Sequence, residues 1–204
     1  MQIIIEGNIG CGKTDLIKYL GADCRIQAFE EPVEIWKTKD NRNLLDLMYK
    51  DPRKYGFDFQ KLVMQSMMDR QKNLATETIT VFERSIFSAR YVFTESLRSS
   101  ELLENVEYEK LDELFQNYSA KHLPVTMIIY LKASVETLQQ RILCRGREEE
   151  SCITKAYLTK LNELYDTWLS GKCFPVPSII MTMNAEIPQA QLYADIKEQI
   201  FRLI

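Results

Sequence analysis

Three glycines lie close together near the start of the chain, in the segment of residues 7–14, which reads GNIGCGKT. The segment matches G-x-x-x-x-G-K-[ST], in which glycines let backbone N–H groups turn inward onto phosphate oxygens. Lys13 would reach the β- and γ-phosphates of a nucleotide, and Thr14 would offer a hydroxyl to Mg²⁺. The alternative is a glycine-rich turn without a ligand. We assign phosphate binding to Gly7, Asn8, Gly10, Cys11, Gly12, Lys13 and Thr14.

Two carboxylate segments could supply the rest of a phosphoryl-transfer site. Glu30 and Glu31 precede a proline, and a carboxylate there could take a proton from an attacking hydroxyl. Glu83 and Arg84 directly follow the apolar run TITVF, where a carboxylate suits Mg²⁺ and an arginine suits an anion. The alternatives are an acidic solvated loop for the first pair and an exposed ion pair for the second.

Three arginines, Arg141, Arg145 and Arg147, lie at the end of a predicted helix and in the loop after it. Their spacing places the first two on one helical face and the third just beyond it. Such a cluster suits a mobile lid, at about residues 141–152, that neutralises charge on a transferring phosphoryl group. The alternative is that these arginines only stabilise the negative end of the helix dipole, and that the acidic run of residues 148–150 balances their charge.

Strands and helices that position these residues alternate along the chain. The apolar runs predict strands at residues 3–5, 24–29, 78–82, 125–131 and 178–183. Helical spacing predicts helices at about residues 14–20, 44–49, 57–76, 85–97, 108–122, 135–143, 155–169 and 187–203. Asp51 and Pro52 form a typical helix start. Strands that are apolar throughout predict an α/β fold with a five-stranded parallel sheet covered by helices, and ligands bind beyond the carboxyl ends of such strands.

Composition limits the classes of protein that fit. The 204 residues are 46% hydrophobic and carry a net charge of −3, which predicts one domain spanning residues 1–204 and no nucleic-acid polymer as partner. The single histidine, His122, argues against histidine-rich metal sites, and the five cysteines contain no C-x-x-C pair. No apolar stretch is long enough to span a bilayer, and we expect no signal or transit peptide in the sequence as given. These features predict a cytoplasmic protein without membrane contact.

The segments described above resemble the deoxyribonucleoside kinase family. The resemblance covers most of the chain, through the blocks IIIEGNIGCGKT, EEPVEIW, NLLDLMYKDP, FDFQ, FERSIFSARYVF, RGREEESC and YLTKLNELYDTWL, in the order and spacing of the family. It is strongest to the insect multisubstrate and mitochondrial thymidine kinase branch, through ERSIFSARY and LMYKDP. The resemblance implies a P-loop kinase fold with an arginine-rich lid, ATP with Mg²⁺, and transfer of phosphate to a pyrimidine deoxynucleoside in nucleotide salvage.

The family's roles transfer to matching positions. Glu31 matches the base that deprotonates the sugar 5′-hydroxyl, Arg84 the arginine beside that hydroxyl, and Lys13 the catalytic lysine of the loop. Thr14 and Glu83 match the magnesium ligands, and Tyr49 and Glu150 the pair that holds the 3′-hydroxyl. Gln60 matches the amide that reads the pyrimidine edge. The base would stack on Phe93, within walls that match Ile9, Trp36, Phe59 and Val63.

Substrate preference follows from two further matches. The deoxycytidine kinase branch carries an arginine and an aspartate where this chain has Met67 and Ala89, so the present pocket has room for the thymine methyl group. We therefore expect phosphorylation of thymidine and deoxycytidine, and poor use of purine deoxynucleosides. Cys11 replaces the usual serine of the loop. The resemblance also implies a homodimer, formed through the helices at 85–97 and 108–122, and feedback binding of a deoxynucleoside triphosphate.

Two alternatives stay open from sequence. A nucleoside-monophosphate kinase, such as thymidylate kinase, shares the phosphate loop and a lid. A non-catalytic relative that binds nucleotides would tolerate loss of Lys13, Glu31 or Arg84, and all three are present here.

Overall fold

The central sheet has the predicted parallel arrangement. The computed structural model describes residues 1–71, 78–119, 125–170 and 178–203. In this part of the chain the strands are β1 (Gln2–Gly7), β2 (Ile26–Phe29), β3 (Ile79–Glu83), β4 (Met127–Lys132) and β5 (Ile179–Asn184). They pair in parallel in the order β2-β3-β1-β4-β5. The α/β class and the five-stranded sheet are therefore confirmed.

Burial across the sheet explains which strands are apolar throughout. Strands β1, β3 and β4 lie inside the sheet and are almost entirely buried, because helices cover both faces. Strand β5 is an edge strand, and its side chains are only partly covered; Ile179 is half exposed. Strand β5 is therefore apolar although it pairs with only one strand, β4, and its side chains are not fully buried.

The helices flank this sheet at the predicted places. They are α1 (Lys13–Gly21), α2 (Val33–Thr38), α3 (Leu44–Lys50), α4 (Pro52–Arg70), α5 (Ile86–Ser88), α6 (Glu95–Ser99), α7 (Asn105–Ser119), α8 (Val135–Arg145), α9 (Lys155–Leu169) and α10 (Gln189–Phe201). The Asp51 side chain caps α4 by accepting from the Lys54 N–H at 3.2 Å, with Pro52 in the first turn. The predicted ends at residues 76 and 122 lie outside the described residues. None of the described helices is long and apolar enough to cross a membrane.

Two local features differ from the expectation. The segment after Pro32, expected as a polar loop, contains helix α2, whose Trp36 is buried and donates its Nε1–H to Ser66 Oγ at 2.9 Å. The expected single helix at 85–97 is instead α5, a π-helical segment (Ala89–Thr94) and α6. π-Helical turns widen a helix locally and occur frequently at functional sites. Here the turn carries Phe93 over the Arg84 guanidinium, 4.8 Å from the ring centre.

Candidate active site

The phosphate loop has a backbone that depends on glycine. Gly7 and Gly10 have φ of +148° and +83°, a region that side chains rarely adopt. A Cβ at Gly7 would lie 2.6 Å from the Leu131 carbonyl oxygen, which is too close for any larger residue. Lys13, at the start of α1, donates from Nζ to the Gly7 and Asn8 carbonyls at 3.0 and 2.8 Å. The Lys13 side chain therefore folds back onto the carbonyls of its own loop, at the N-terminus of α1.

Asn8 holds the loop against helix α9. Its Nδ2 donates to the Leu158 carbonyl at 2.9 Å and to Asn162 Oδ1 at 2.8 Å, while its Oδ1 accepts from the Ile9 N–H at 2.7 Å. Cys11 is buried behind the loop, with its Sγ 3.6 Å from Lys13 Nζ. These side chains support the shape of the loop, whose backbone is the part that could meet phosphate.

A cavity of about 320 Å³ opens at the carboxyl ends of β1, β2 and β3. This volume is in the range of small-molecule sites. Most of the expected site residues line the cavity: Ile9, Gly10, Gly12, Lys13, Thr14, Glu31, Trp36, Tyr49, Phe59, Gln60, Val63, Met67, Glu83, Arg84, Phe93, Arg145, Arg147 and Glu150. Gly7, Asn8 and Cys11 form the back of the loop. The cavity joins the phosphate loop to an aromatic pocket, as a two-substrate site requires.

Glu31 and Arg84 form a buried ion pair at the centre of the cavity. Arg84 Nη1 donates to Glu31 Oε1 and Oε2 at 2.8 and 2.9 Å, and both side chains are about one-tenth exposed. Burial opposes ionisation of Glu31, but the charges of Arg84, Lys13 and Arg70 outweigh it and hold its pKa below the ordinary value. Likewise, burial opposes the charge on Arg84, but Glu31 holds the Arg84 pKa well above its ordinary value. Glu31 is therefore ionised and able to accept a proton.

Thr14 and Glu83 meet beside the phosphate loop. Thr14 Oγ1 donates to Glu83 Oε1 at 2.8 Å, and Glu83 Oε2 accepts from the Glu31 N–H at 3.3 Å. A hydroxyl and a carboxylate are the hard oxygen donors that Mg²⁺ takes alongside phosphates and water. In the described part of the chain no cluster of three acidic, cysteine or histidine side chains could hold a metal alone. The Thr14 hydroxyl and the Glu83 carboxylate therefore suit a Mg²⁺ ion that binds together with a nucleotide.

The far end of the cavity is a narrow aromatic pocket. Trp36 packs edge-to-face on Phe59, with ring centres 5.6 Å apart. Gln60 is 2% exposed, and its Oε1 has no hydrogen-bond partner among the described residues. A buried carboxamide oxygen without a partner costs free energy, so a ligand that donates a hydrogen bond there would be favoured.

The mouth of the cavity is closed by the segment after α8. Glu150 is buried and accepts from Arg145 Nε at 3.1 Å and from Arg147 Nη1 at 3.4 Å. The neighbouring Glu149 pairs with Lys37 of α2 at 2.7 Å. The Glu149–Lys37 pair thus ties the lid to the body of the protein, and the pairs of Glu150 hold the lid segment together.

Besides Gly7, Asn8 and Cys11, two expected residues, Arg141 and Ala89, lie outside the cavity wall. Arg141 donates from Nη2 to the Ala185 carbonyl at 2.7 Å and from Nη1 to the Cys11 carbonyl at 3.5 Å, behind the loop. It lies within α8, one helical turn before Arg145, and its side chain contacts the loop and the residue after β5 instead of lining the cavity. Ala89 is fully buried behind the pocket, because the π-helical turn packs it into the core.

Sequence analysis did not identify three residues at or beside the cavity. Tyr157 of α9 lines the cavity, and burial raises its pKa to about 12. Tyr157 lies in the first turn of α9, three residues after the Thr154 N-cap. The residue spacing there predicts a helix, but nothing in it marks Tyr157 as a site residue. Arg70 contacts the ends of two strands through main-chain carbonyls, and Glu6 is a fully buried carboxylate in β1. Glu6 could have been found as a charged residue inside an apolar strand.

Glu6 is expected to make folding stability depend on pH. Its Oε1 accepts from Ser85 Oγ at 2.6 Å, and burial raises its pKa from 4.5 to about 7. The folded state therefore binds this proton more tightly, so the contribution of Glu6 to stability is fully present below about pH 4.5 and is lost as pH rises to about 7. Glu6→Gln should remove this loss, which amounts to about 3 kcal/mol. Urea unfolding of both proteins across this pH range measures the difference.

The exposed carboxylate Glu109 provides the matched control. Glu109→Gln should leave the pH dependence of the wild-type unfolding free energy unchanged. Parallel pH curves for the wild-type protein and Glu6→Gln would show that Glu6 does not titrate in this way.

Comparisons with known proteins agree with the geometry of the cavity. Residues 3–204 match the sequence profile of the family described as deoxynucleoside kinase. The chain is 35% identical over 187 residues to mitochondrial thymidine kinase 2 of Macaca fascicularis, an alignment covering 90% of this chain and 70% of that protein. It is 32% identical over 195 residues to deoxycytidine kinase of Homo sapiens, covering 82% of this chain and 75% of that protein. The family match spans every residue of the cavity wall.

Proposed function

The chain belongs to the deoxynucleoside kinase family, whose members are ATP-dependent phosphotransferases, and we propose that its acceptor is the 5′-hydroxyl of a pyrimidine deoxynucleoside. Thymidine is the main substrate in this proposal, deoxycytidine is also accepted, and the product is the 5′-monophosphate. Both kinds of relative, named for thymidine and for deoxycytidine, support a pyrimidine acceptor.

The unpartnered Gln60 oxygen is the observation that carries this proposal. Gln60 lies in the cavity wall at the aromatic end, away from the phosphate loop. A side-chain amide both donates and accepts, so it pairs with N3–H and O4 of thymine or, after a flip, with N3 and N4–H₂ of cytosine. Trp36, Phe59 and Phe93 around it suit a planar base.

The residues beside the proposed base site leave room for the methyl group of thymine. Met67 is uncharged and lines the pocket, while Ala89 is small and buried behind it. In this proposal Ala89 acts by leaving space and carrying no charge, rather than by touching the base. A pocket without a charged pair at these positions accepts both pyrimidines.

The mechanism follows from the residues at the centre of the cavity. Glu31 accepts the proton of the 5′-hydroxyl, and Arg84 lies beside that oxygen and the incoming phosphoryl group. Lys13 turns from its loop carbonyls toward the β- and γ-phosphates, and loop N–H groups hold them in line with the acceptor. Thr14 and Glu83 would hold Mg²⁺, which neutralises phosphate charge when bound.

Glu150 connects the sugar site to the lid in this proposal. Tyr49 and Glu150 both line the cavity, and burial raises the pKa of Tyr49 well above its ordinary value, so its hydroxyl stays a donor. The 3′-hydroxyl of the sugar would then bind between these two side chains. Arg145 and Arg147 pair with the same carboxylate, so the lid arginines are held at the cavity mouth, where phosphate charge develops. Arg141 hydrogen-bonds the Cys11 carbonyl of the loop, and its contact with phosphate stays a prediction.

The homodimer, feedback binding of a deoxynucleoside triphosphate and the cytoplasmic compartment stay predictions. For the homodimer, the expected stretch at 85–97 consists of α5, the π-helical segment and the start of α6, and the expected stretch at 108–122 begins within α7.

Steady-state phosphorylation of the four deoxynucleosides tests the proposed specificity. We expect kcat/KM for thymidine and deoxycytidine to exceed that for either purine deoxynucleoside by about 10-fold or more, because a two-ring purine is larger than the single-ring base for which this pocket is proposed. A preference for deoxyadenosine or deoxyguanosine would overturn the proposal. Purified chain, ATP and Mg²⁺ are sufficient for this assay.

A further inference from the structure

Arg70, the last residue of helix α4, joins two strands at the edge of the cavity. Its Nη1 donates to the carbonyl oxygens of Glu30 and Glu83 at 2.8 and 3.0 Å, and its Nη2 donates to the Arg84 carbonyl at 3.3 Å. Arg70 is not part of the cavity wall, so it does not bind substrate directly. Three hydrogen bonds from one guanidinium to main-chain carbonyls indicate a role in holding the backbone.

Arg70 contacts the residues that directly follow the last paired residues of β2 and β3. The last paired residues of β2 and β3 are Phe29 and Phe82, and the next residues are Glu30 and Glu83. The Arg70 guanidinium bridges the carbonyls of these two residues, and it also lies over the Phe82 ring at 5.6 Å. A planar, rigid guanidinium with several donors is suited to such bridging, and an ammonium is not. The bridge thus sets the spacing of the two strand ends.

The third contact holds a strained residue. Arg84 has a φ of +57°, which is costly for a residue other than glycine and persists only where neighbours enforce it. The Arg84 N–H donates to the Ile5 carbonyl at 2.9 Å, and Arg70 binds its carbonyl from the other side. The strained backbone therefore aims the Arg84 side chain at Glu31.

We propose that Arg70 is a positioning residue of the phosphoryl-transfer site: it fixes Glu31 and Arg84 relative to each other through the main chain. The inference rests on the proposed function, because it assigns Glu31 and Arg84 their roles in transfer.

Two substitutions test the bridge made by Arg70. Arg70→Lys keeps the positive charge but loses the planar set of donors, so we expect kcat to fall about 10-fold. Arg70→Met removes all three hydrogen bonds, so kcat should fall about 10- to 100-fold. The KM for thymidine should change less than about twofold, because Arg70 lies outside the pocket.

Arg53 provides the matched control, since this exposed arginine also donates to a main-chain carbonyl, that of Glu101 at 2.9 Å. Arg53→Met should leave kcat unchanged. Wild-type kcat in Arg70→Met, or a loss that appears as a raised KM for thymidine with kcat unchanged, would overturn the positioning role. A wild-type chain that phosphorylates no deoxynucleoside would instead refute the proposed function. If Arg70→Met fails to fold, Arg70→Lys alone decides, and unchanged kcat would reject the bridge.

Discussion

Replacing Glu31 by glutamine is expected to lower kcat for thymidine phosphorylation by about 10²- to 10⁴-fold, the range for losing a general base. Arg84 holds the Glu31 carboxylate at 2.8 and 2.9 Å, so the base is both ionised and oriented in the folded protein. Glutamine keeps the size of the side chain and one oxygen for Arg84 but cannot take the 5′-proton. Thymidine should still bind, because the base pocket and the sugar contacts are unchanged. Steady-state kinetics and calorimetric titration with thymidine measure the two effects.

The adjacent Glu30 tests whether the position of the carboxylate matters. Its side chain is exposed, whereas that of Glu31 is buried against Arg84. Glu30→Gln should therefore keep most of the wild-type kcat. Equal losses in the two variants, or an active Glu31→Gln, would show that the proton is accepted by a different group.

Replacing Lys13 by methionine is expected to lower kcat/KM for ATP by about 10²- to 10³-fold, the loss found when one donor to transition-state charge is removed. Lys13 is buried, and its ammonium lies on the Gly7 and Asn8 carbonyls, from which it would turn to the phosphates. Methionine keeps the apolar stem, so the volume inside the loop is filled. The measurement is the rate of labelled phosphate transfer at several ATP concentrations.

Lys61 of α4 is the control for the loss of a lysine. It is exposed and lies outside the cavity wall, so Lys61→Met should transfer phosphate at the wild-type rate. Thermal unfolding of Lys13→Met should show a folded protein with a modestly lower melting temperature, since two loop hydrogen bonds are lost. A Lys13→Met protein with near wild-type kcat/KM for ATP would contradict a phosphate role for this residue.

Most of the sheet and the phosphate loop could be predicted because their signals are local. The apolar runs of β1, β3 and β4 and the glycines of residues 7–14 depend on neighbours in the sequence. Helix α2 could not be predicted, because six residues show no period and its stability comes from burying Trp36 against Ser66. The π-helical turn at Ala89–Thr94 has no sequence signature of its own.

The candidate site likewise contains residues whose positions the sequence predicts and residues whose positions it does not. Glu31, Glu83 and Arg84 follow strands, so the parallel sheet alone brings them together. Arg70 acts on carbonyl oxygens, which every residue carries, so no side-chain pattern marks its partners. The spacing of Arg141 from Arg145 predicts only a shared helical face, so the hydrogen bonds of Arg141 to the Ala185 and Cys11 carbonyls could not be predicted, and its contact with phosphate stays a prediction.

Transfer of labelled phosphate tests the central claim, a nucleoside 5′-hydroxyl as acceptor, most directly. The purified chain is incubated with ATP labelled at the γ-position, Mg²⁺ and either thymidine or thymidine monophosphate, and the products are separated. We expect label in thymidine 5′-monophosphate from the first reaction and little label in a diphosphate from the second. Label in a diphosphate, with none transferred to thymidine, would contradict the claim and identify a nucleoside-monophosphate kinase.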